Sequence, residues 1–156
     1  MVHSKLLYKL QNIGLPDLVI RWISAFLSNR SQAVIIDHIL SPVSPVISGV
    51  PQGSVLGPIL FILFINDLET LLNGKAEFKL FADDLKIYSS FSNPTAHTTI
   101  QDSLILINSW SSTWQLPINH SKSQVLHLGN AATFSPYQLG DEITPAITSL
   151  YLSALF

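Results

Sequence analysis

The stretch Phe78-Lys79-Leu80-Phe81-Ala82-Asp83-Asp84-Leu85-Lys86-Ile87-Tyr88 sets two adjacent carboxylates between two apolar, strand-like runs. It reads as two strands, Glu77 to Phe81 and Leu85 to Ser89, joined at Asp83-Asp84. Neighbouring carboxylates repel each other, and a divalent cation or a strong donor stabilises the ionised forms. A hairpin tip suits that task, because a rigid sheet fixes where a metal would sit. Taken alone, an Asp-Asp pair reads as an ordinary turn, since Asp favours turns through its own side-chain hydrogen bonds.

Upstream lies Gly49-Val50-Pro51-Gln52-Gly53-Ser54-Val55-Leu56-Gly57-Pro58. Gly49, Gly53 and Gly57 let the backbone approach a ligand closely, and Pro51 stiffens the bend between them. Gln52 donates and accepts in the same place. Without its neighbours this segment reads as a tight connection from strand to helix. Pro58 suits the first turn of a helix that runs to a stop at Asn73-Gly74. The first half of that helix, Ile59 to Ile65, is apolar almost all round, which implies burial.

Working outward, Leu6, Leu7 and Leu10 share one helical face, and Gly14 with Pro16 ends that helix and begins another. The second runs from Pro16 to Leu27, with Leu18, Trp22, Ile23 and Phe26 as its stripe. Gln32 to Ile36 and Val43 to Ile47 form an expected hairpin, with turns near Asp37-His38 and Ser41-Pro42, and Pro42 and Pro45 make its second strand an edge. A long helix is expected from Thr98 to Trp114, carrying Ile100, Leu104, Ile107 and Trp114, and then a short strand from Val125 to Leu128. Beyond Gly129 the pattern fades, and residues 131–156 carry no strong periodicity.

The 156 residues are 47% hydrophobic, enough to build a core and too apolar for general disorder. Only 12% are charged, with a formal net charge of −2, so strong autonomous binding to a phosphate backbone is not expected. The absence of cysteine excludes disulfides and thiolate zinc sites. Met1 to Lys5 leads into no secretory h-region, and Ile59 to Ile65 falls far short of the ~20 residues of a membrane helix. His3, His38, His97, His120 and His127 are dispersed without a metal-ligand spacing.

Phe81-Ala82-Asp83-Asp84 resembles the aromatic-variable-Asp-Asp hallmark of reverse transcriptases, in the form found in elements lacking long terminal repeats. The string from Gly49 to Phe61, continuing through Ile65-Asn66-Asp67-Leu68, resembles the second palm motif of the same family. Phe26-Leu27-Ser28-Asn29-Arg30-Ser31-Gln32 is similar to the segment leading into its hairpin. Trp110, Trp114, Leu116, Asn119 and Lys122, followed by Val125-Leu126-His127-Leu128-Gly129, resemble the next palm motif. The resemblance spans roughly residues 3–145, in both motif order and spelling.

The resemblance implies an α+β fold: a partial palm and fingers in which helices pack on an antiparallel sheet, over residues 1–145, with 146–156 as a tail. It implies metal-dependent transfer of a nucleotide from a deoxynucleoside triphosphate to a primer 3′-hydroxyl on an RNA template. Asp83 and Asp84 would bind magnesium, with manganese as an alternative. Gln52, Gly53, Phe81 and Ala82 would contact nucleotide and template, Arg30 a phosphate, and Lys122 the departing pyrophosphate. Asn66 and Asp67 would be structural, and Trp110 and Trp114 belong to the core rather than to a base-stacking platform.

In this family a first palm strand supplies a further metal-binding aspartate upstream of a segment like His3-Ser4-Lys5-Leu6-Leu7. A chain that begins at Met1 is therefore expected to be catalytically defective and marginally stable in isolation, with the first catalytic strand missing. Weak nucleic-acid binding and self-association through an exposed strand edge are expected of it. The alternatives are a non-catalytic retrotransposon remnant acting as an RNA-binding or protein-interaction module, or a small apolar scaffold with an incidental Asp-Asp turn. No targeting signal chooses between nucleus and cytoplasm.

Overall fold

Gly14 shapes the first helical pair. Its φ of +84° lets the chain close a Schellman turn, in which Gly14 N–H donates to Gln11 O at 2.9 Å and Leu15 N–H to Leu10 O at 3.2 Å. Helix α1 (His3–Asn12) ends there, and Pro16 leads into α2 (Asp17–Leu27). The computed structural model describes residues 1–90, 95–128 and 136–147, and the chain divides into two units, Met1–Asn66 and Asp67–Phe156.

In the first unit α1 packs against α2 and against α3 (Leu56–Ile65). Leu6 and Leu10 of α1 are fully buried, as the leucine spacing predicts. The stripe of α2 differs from expectation in part: Ile23 is buried as expected, but it is joined inside by Ile20 and Leu27, whereas Leu18 is 73% and Trp22 57% exposed. Both stripes are apolar, so periodicity alone does not choose between them. On the outer side Trp22 stacks on Phe26 at 6.4 Å, and the Arg30 guanidinium lies 4.5 Å over the Phe26 ring.

The expected hairpin forms in two short pieces. β1 (Ser31–Gln32) pairs with a later strand, β4 (Ser44–Pro45), while β2 (Ile35–Ile36) pairs with β3 (Ile39–Leu40). The inner turn is Asp37-His38, both with positive φ (48° and 65°), the geometry a two-residue hairpin demands. The second strand thus starts earlier than the Val43 expected from sequence, and every residue of the four strands is exposed.

Helix α3 is not buried all round. Leu60, Phe64 and Ile65 are inside, but Ile59 and Ile62 are half exposed. Its C-terminal end is held by Lys9, which is itself buried: Nζ donates to Phe64 O at 2.6 Å and lies 4.5 Å over the Phe64 ring. The helix expected to run on to Asn73-Gly74 stops at Ile65. A separate helix α4 (Asp67–Leu72) opens the second unit, and Gly74 follows with φ +73°.

The second unit then forms β5 (Glu77–Phe81) and β6 (Asp84–Tyr88), antiparallel from Glu77↔Tyr88 to Phe81↔Asp84. Helix α5 (Ala96–Trp114) follows, longer at its start than expected, and a short 3-10 turn at His120–Lys122 leads to β7 (Val125–Leu126). β8 (Tyr137–Leu139) and β9 (Glu142–Thr144) form a hairpin, and β10 (Ala146–Ile147) pairs parallel with β7. The fold is α+β, with small two-stranded ladders among the described residues instead of one antiparallel sheet. The expected tail falls mostly outside them, as does Gly129 of the motif that begins at Val125.

Trp110 is 6% exposed and its Nε1–H donates to Asp67 Oδ1 at 3.0 Å, so Trp110 is core and Asp67 structural, as the sequence reading has them. α4 and α5 pack together at this bond. The β8–β9 hairpin docks on α5 through the Gln101 amide: its Nε2 donates to Gln138 O, and its Oε1 accepts from Gln138 N, both at 2.9 Å.

Candidate metal and nucleotide site

The β5–β6 tip is a two-residue turn of Ala82 and Asp83, because Phe81↔Asp84 is already the last ladder pair. Asp84 therefore begins β6 instead of sitting in the loop. Ala82 holds φ +52°, a left-handed backbone that costs a non-glycine residue about 1–2 kcal/mol. Asp83 and Asp84 are both half-buried, and Phe81 is 78% exposed beside them. Asp84 Oδ1 is buried and has no hydrogen-bond partner.

A buried carboxylate oxygen without a donor is costly, and a divalent cation at the tip would supply the missing partner. The tip therefore fits a hard, oxygen-seeking metal. Two carboxylates alone leave most of an octahedral shell to water or to substrate oxygens. Among the described residues no group of three or more His, Asp or Glu side chains is placed to hold a metal.

A cleft of about 530 Å³ runs beside β6 within the same unit. Leu85 to Ser90 line one side, Lys122 to Leu128 the other, and Ile100, Leu104 and Ile107 of α5 contribute apolar surface. Tyr137 and Leu139, alternate residues of β8, add to the lining. Lys122 thus shares a cleft with the strand that Asp84 begins, and it is exposed there. Thr144 Oγ1, buried and without a partner, lies in the same lining, and desolvation raises the Tyr137 phenol above its usual range.

The glycine loop belongs to the first unit and is built around Ser54. Its hydroxyl donates to Pro51 O at 2.6 Å and accepts from Gly57 N–H at 3.1 Å, which caps the start of α3. Gly57 sits in tight space: a Cβ there would lie 3.1 Å from both Pro51 O and Ser54 Oγ, and one of them would have to shift. Gly53 is required by backbone angle, at φ +80°. Gln52 and Gly53 are exposed at the crest of the loop. Arg30 is also exposed, with Nε donating to Phe26 O at 2.5 Å.

The structure thus brings Phe81, Ala82, Asp83 and Asp84 together at one tip, places Lys122 in the cleft lined by the following residues Leu85 to Ser90, and groups Gln52 with Gly53 on a separate loop. Sequence reading missed the Gly140-Asp141 turn of β8–β9, although Gly-Asp between Leu139 and Ile143 is a hairpin signal. It also missed the fixings made over long sequence separations by His3, Lys9 and Gln101.

A family model described as reverse transcriptase (RNA-dependent DNA polymerase) matches residues 1–150. The chain is 30% identical over 141 residues, 86% of its length, to the RNA-directed DNA polymerase from mobile element jockey of Drosophila melanogaster. It is 31% identical over 141 residues to the jockey polymerase of Drosophila funebris. Over 113 residues, 70% of its length, it is 36% identical to the probable RNA-directed DNA polymerase from transposon X-element of Drosophila melanogaster. It spans 12–15% of the length of these relatives. With the family model covering residues 1–150, this chain belongs to the reverse transcriptase family.

Proposed function

We propose that this chain is the metal- and nucleotide-holding part of an RNA-directed DNA polymerase palm, with Asp83 and Asp84 as magnesium ligands. The observation that carries the reading is the buried, unpartnered Oδ1 of Asp84 at a hairpin tip it shares with Asp83. Magnesium or manganese, when bound, would activate the primer 3′-hydroxyl and neutralise charge on the leaving pyrophosphate. Asp83 would supply oxygens from the turn and Asp84 from the last ladder pair beside it, and Phe81 and Ala82 shape the surface that meets nucleotide and template. Gln52 and Gly53 contact the incoming nucleotide and the template, Arg30 a phosphate, and Lys122 the departing pyrophosphate.

In this reading a further strand of a longer polypeptide would pair beside β6, on the edge that no described strand covers, and would carry a third carboxylate. On its own the 156-residue chain holds metal through two carboxylates and does not sustain polymerisation.

Manganese titration followed by paramagnetic broadening of amide signals tests the site. Broadening centred on residues 82–85, lost in Asp83→Asn/Asp84→Asn, is expected; broadening elsewhere, or unchanged in the double variant, overturns the assignment. Primer extension on an RNA template is expected to be absent for the isolated chain. Robust extension that vanishes in the double variant would mean that these residues suffice without a further segment.

A further inference from the structure

The start of the chain is tied to the entrance of the glycine loop by backbone and by side chain within the first unit. Val2 forms an antiparallel bridge with Ser48, in which Gly49 N–H donates to Met1 O at 2.8 Å. The other contact is a side chain: His3 Nε2 lies 2.8 Å from the Gly49 carbonyl. A carbonyl oxygen only accepts, so His3 Nε2 carries the proton. The bridge is a backbone contact that other residues could make, whereas the side-chain contact depends on the imidazole.

Gly49 explains why such a contact is needed. Its φ is +83°, and nothing lies within 4 Å of the place a Cβ would occupy, so glycine is there for its backbone angle and not for space. A glycine backbone rotates more freely than any other, and the Gly49 carbonyl is left to be fixed from outside. At the far end of the loop Ser54 holds Pro51 O and Gly57 N–H. Gln52 and Gly53 lie between these two anchors.

We propose that His3 is a positioning residue for the nucleotide-contacting loop: its Nε2–H fixes the Gly49 peptide and through it the presentation of Gln52 and Gly53. The role rests on the reading of Gln52 and Gly53 as nucleotide contacts, and His3 acts through Gly49 without touching the nucleotide. A Gln side chain carries its amide nitrogen at the reach of Nε2, while an Asn amide stops where Nδ1 stands, so the two variants separate the contact from mere polarity.

The test is amide hydrogen exchange across the 156-residue chain, with His3→Ala, His3→Asn and His3→Gln beside the wild type. Loss of one hydrogen bond of ordinary strength corresponds to roughly fivefold faster exchange, expected in residues 50–57 for Ala and Asn and restored by Gln. Unchanged exchange in His3→Ala, no recovery in His3→Gln, or acceleration spread equally over α1, α2 and α3 would each overturn the proposal. Manganese-dNTP affinity, measured on the same proteins, keeps the two readings apart. Affinity that falls in His3→Ala and returns in His3→Gln supports both; loop loosening without any dNTP binding by the wild type leaves His3 as the loop's anchor and removes the nucleotide role of Gln52 and Gly53.

Discussion

Of the hairpins among the described residues, those at Asp37-His38 and Ala82-Asp83 both close on a two-residue turn that begins with a positive φ, and they behave as opposites. The one at Asp37-His38 carries Ile35, Ile36, Ile39 and Leu40, all exposed, in two-residue strands. The one at Ala82-Asp83 keeps a five-pair ladder and buries Leu85 to 4% exposure. The first has apolar residues in unbroken runs and the second alternates them with Lys79 and Lys86. Alternation lets one face pack while the other stays wet, so it is pattern, more than apolar content, that makes a strand part of a core.

The largest expected effect sets the two hairpins directly against each other. Leu85→Ala should lower stability by about 2–4 kcal/mol in urea denaturation, as a cavity in a packed site does. Ile39→Ala should change it by no more than about 0.5 kcal/mol, as for an exposed position. Equal losses would erase the contrast.

The carboxylates at the tips differ as well. Asp84→Asn should weaken manganese binding at least tenfold, about 1.4 kcal/mol, because the buried oxygen loses its charge. Asp37→Asn at the other tip should leave the affinity unchanged in the same titration.

Turn strain offers a smaller effect. Ala82→Gly should stabilise the chain by about 0.5–1 kcal/mol by relieving its positive φ. His38→Gly relieves the same kind of strain, but in an exposed hairpin, so it should slow local amide exchange around Ile36 and Ile39 without moving the thermal midpoint.

The smallest effect concerns pH. Burial raises the Tyr137 phenol, so its contribution is fully present below the ordinary tyrosine value of about 10 and is lost as pH rises through the higher folded value. Stability measured by urea titration should fall above about pH 10 in the wild type and fall less in Tyr137→Phe.

Much of this was written in local sequence. Gly14 and Pro16 mark the break between α1 and α2, and the turn around Asp83 follows from the strands that flank it. What local sequence leaves open is which apolar face a helix buries. α2 offers Leu18, Trp22 and Phe26 on one side and Ile20, Ile23 and Leu27 on another, and only packing partners choose. The β5–β6 turn illustrates a finer difficulty, since Asp84 lies in the ladder because Phe81 finds it as a partner. The candidate ligands Asp83 and Asp84 are legible as a pair, whereas the burial of one Oδ1 is a property of the folded unit.

The twin hydrogen bonds from Gln101 to the Gln138 backbone have a kinetic consequence. One amide closes a loop of 37 residues, and it makes or loses both bonds together. The β8–β9 hairpin can form locally within microseconds, but it has nothing to dock on until α5 exists. Docking of the hairpin thus waits on the helix, and the Gln101 amide, together with His97 stacked on Tyr137 at 4.6 Å, joins the two.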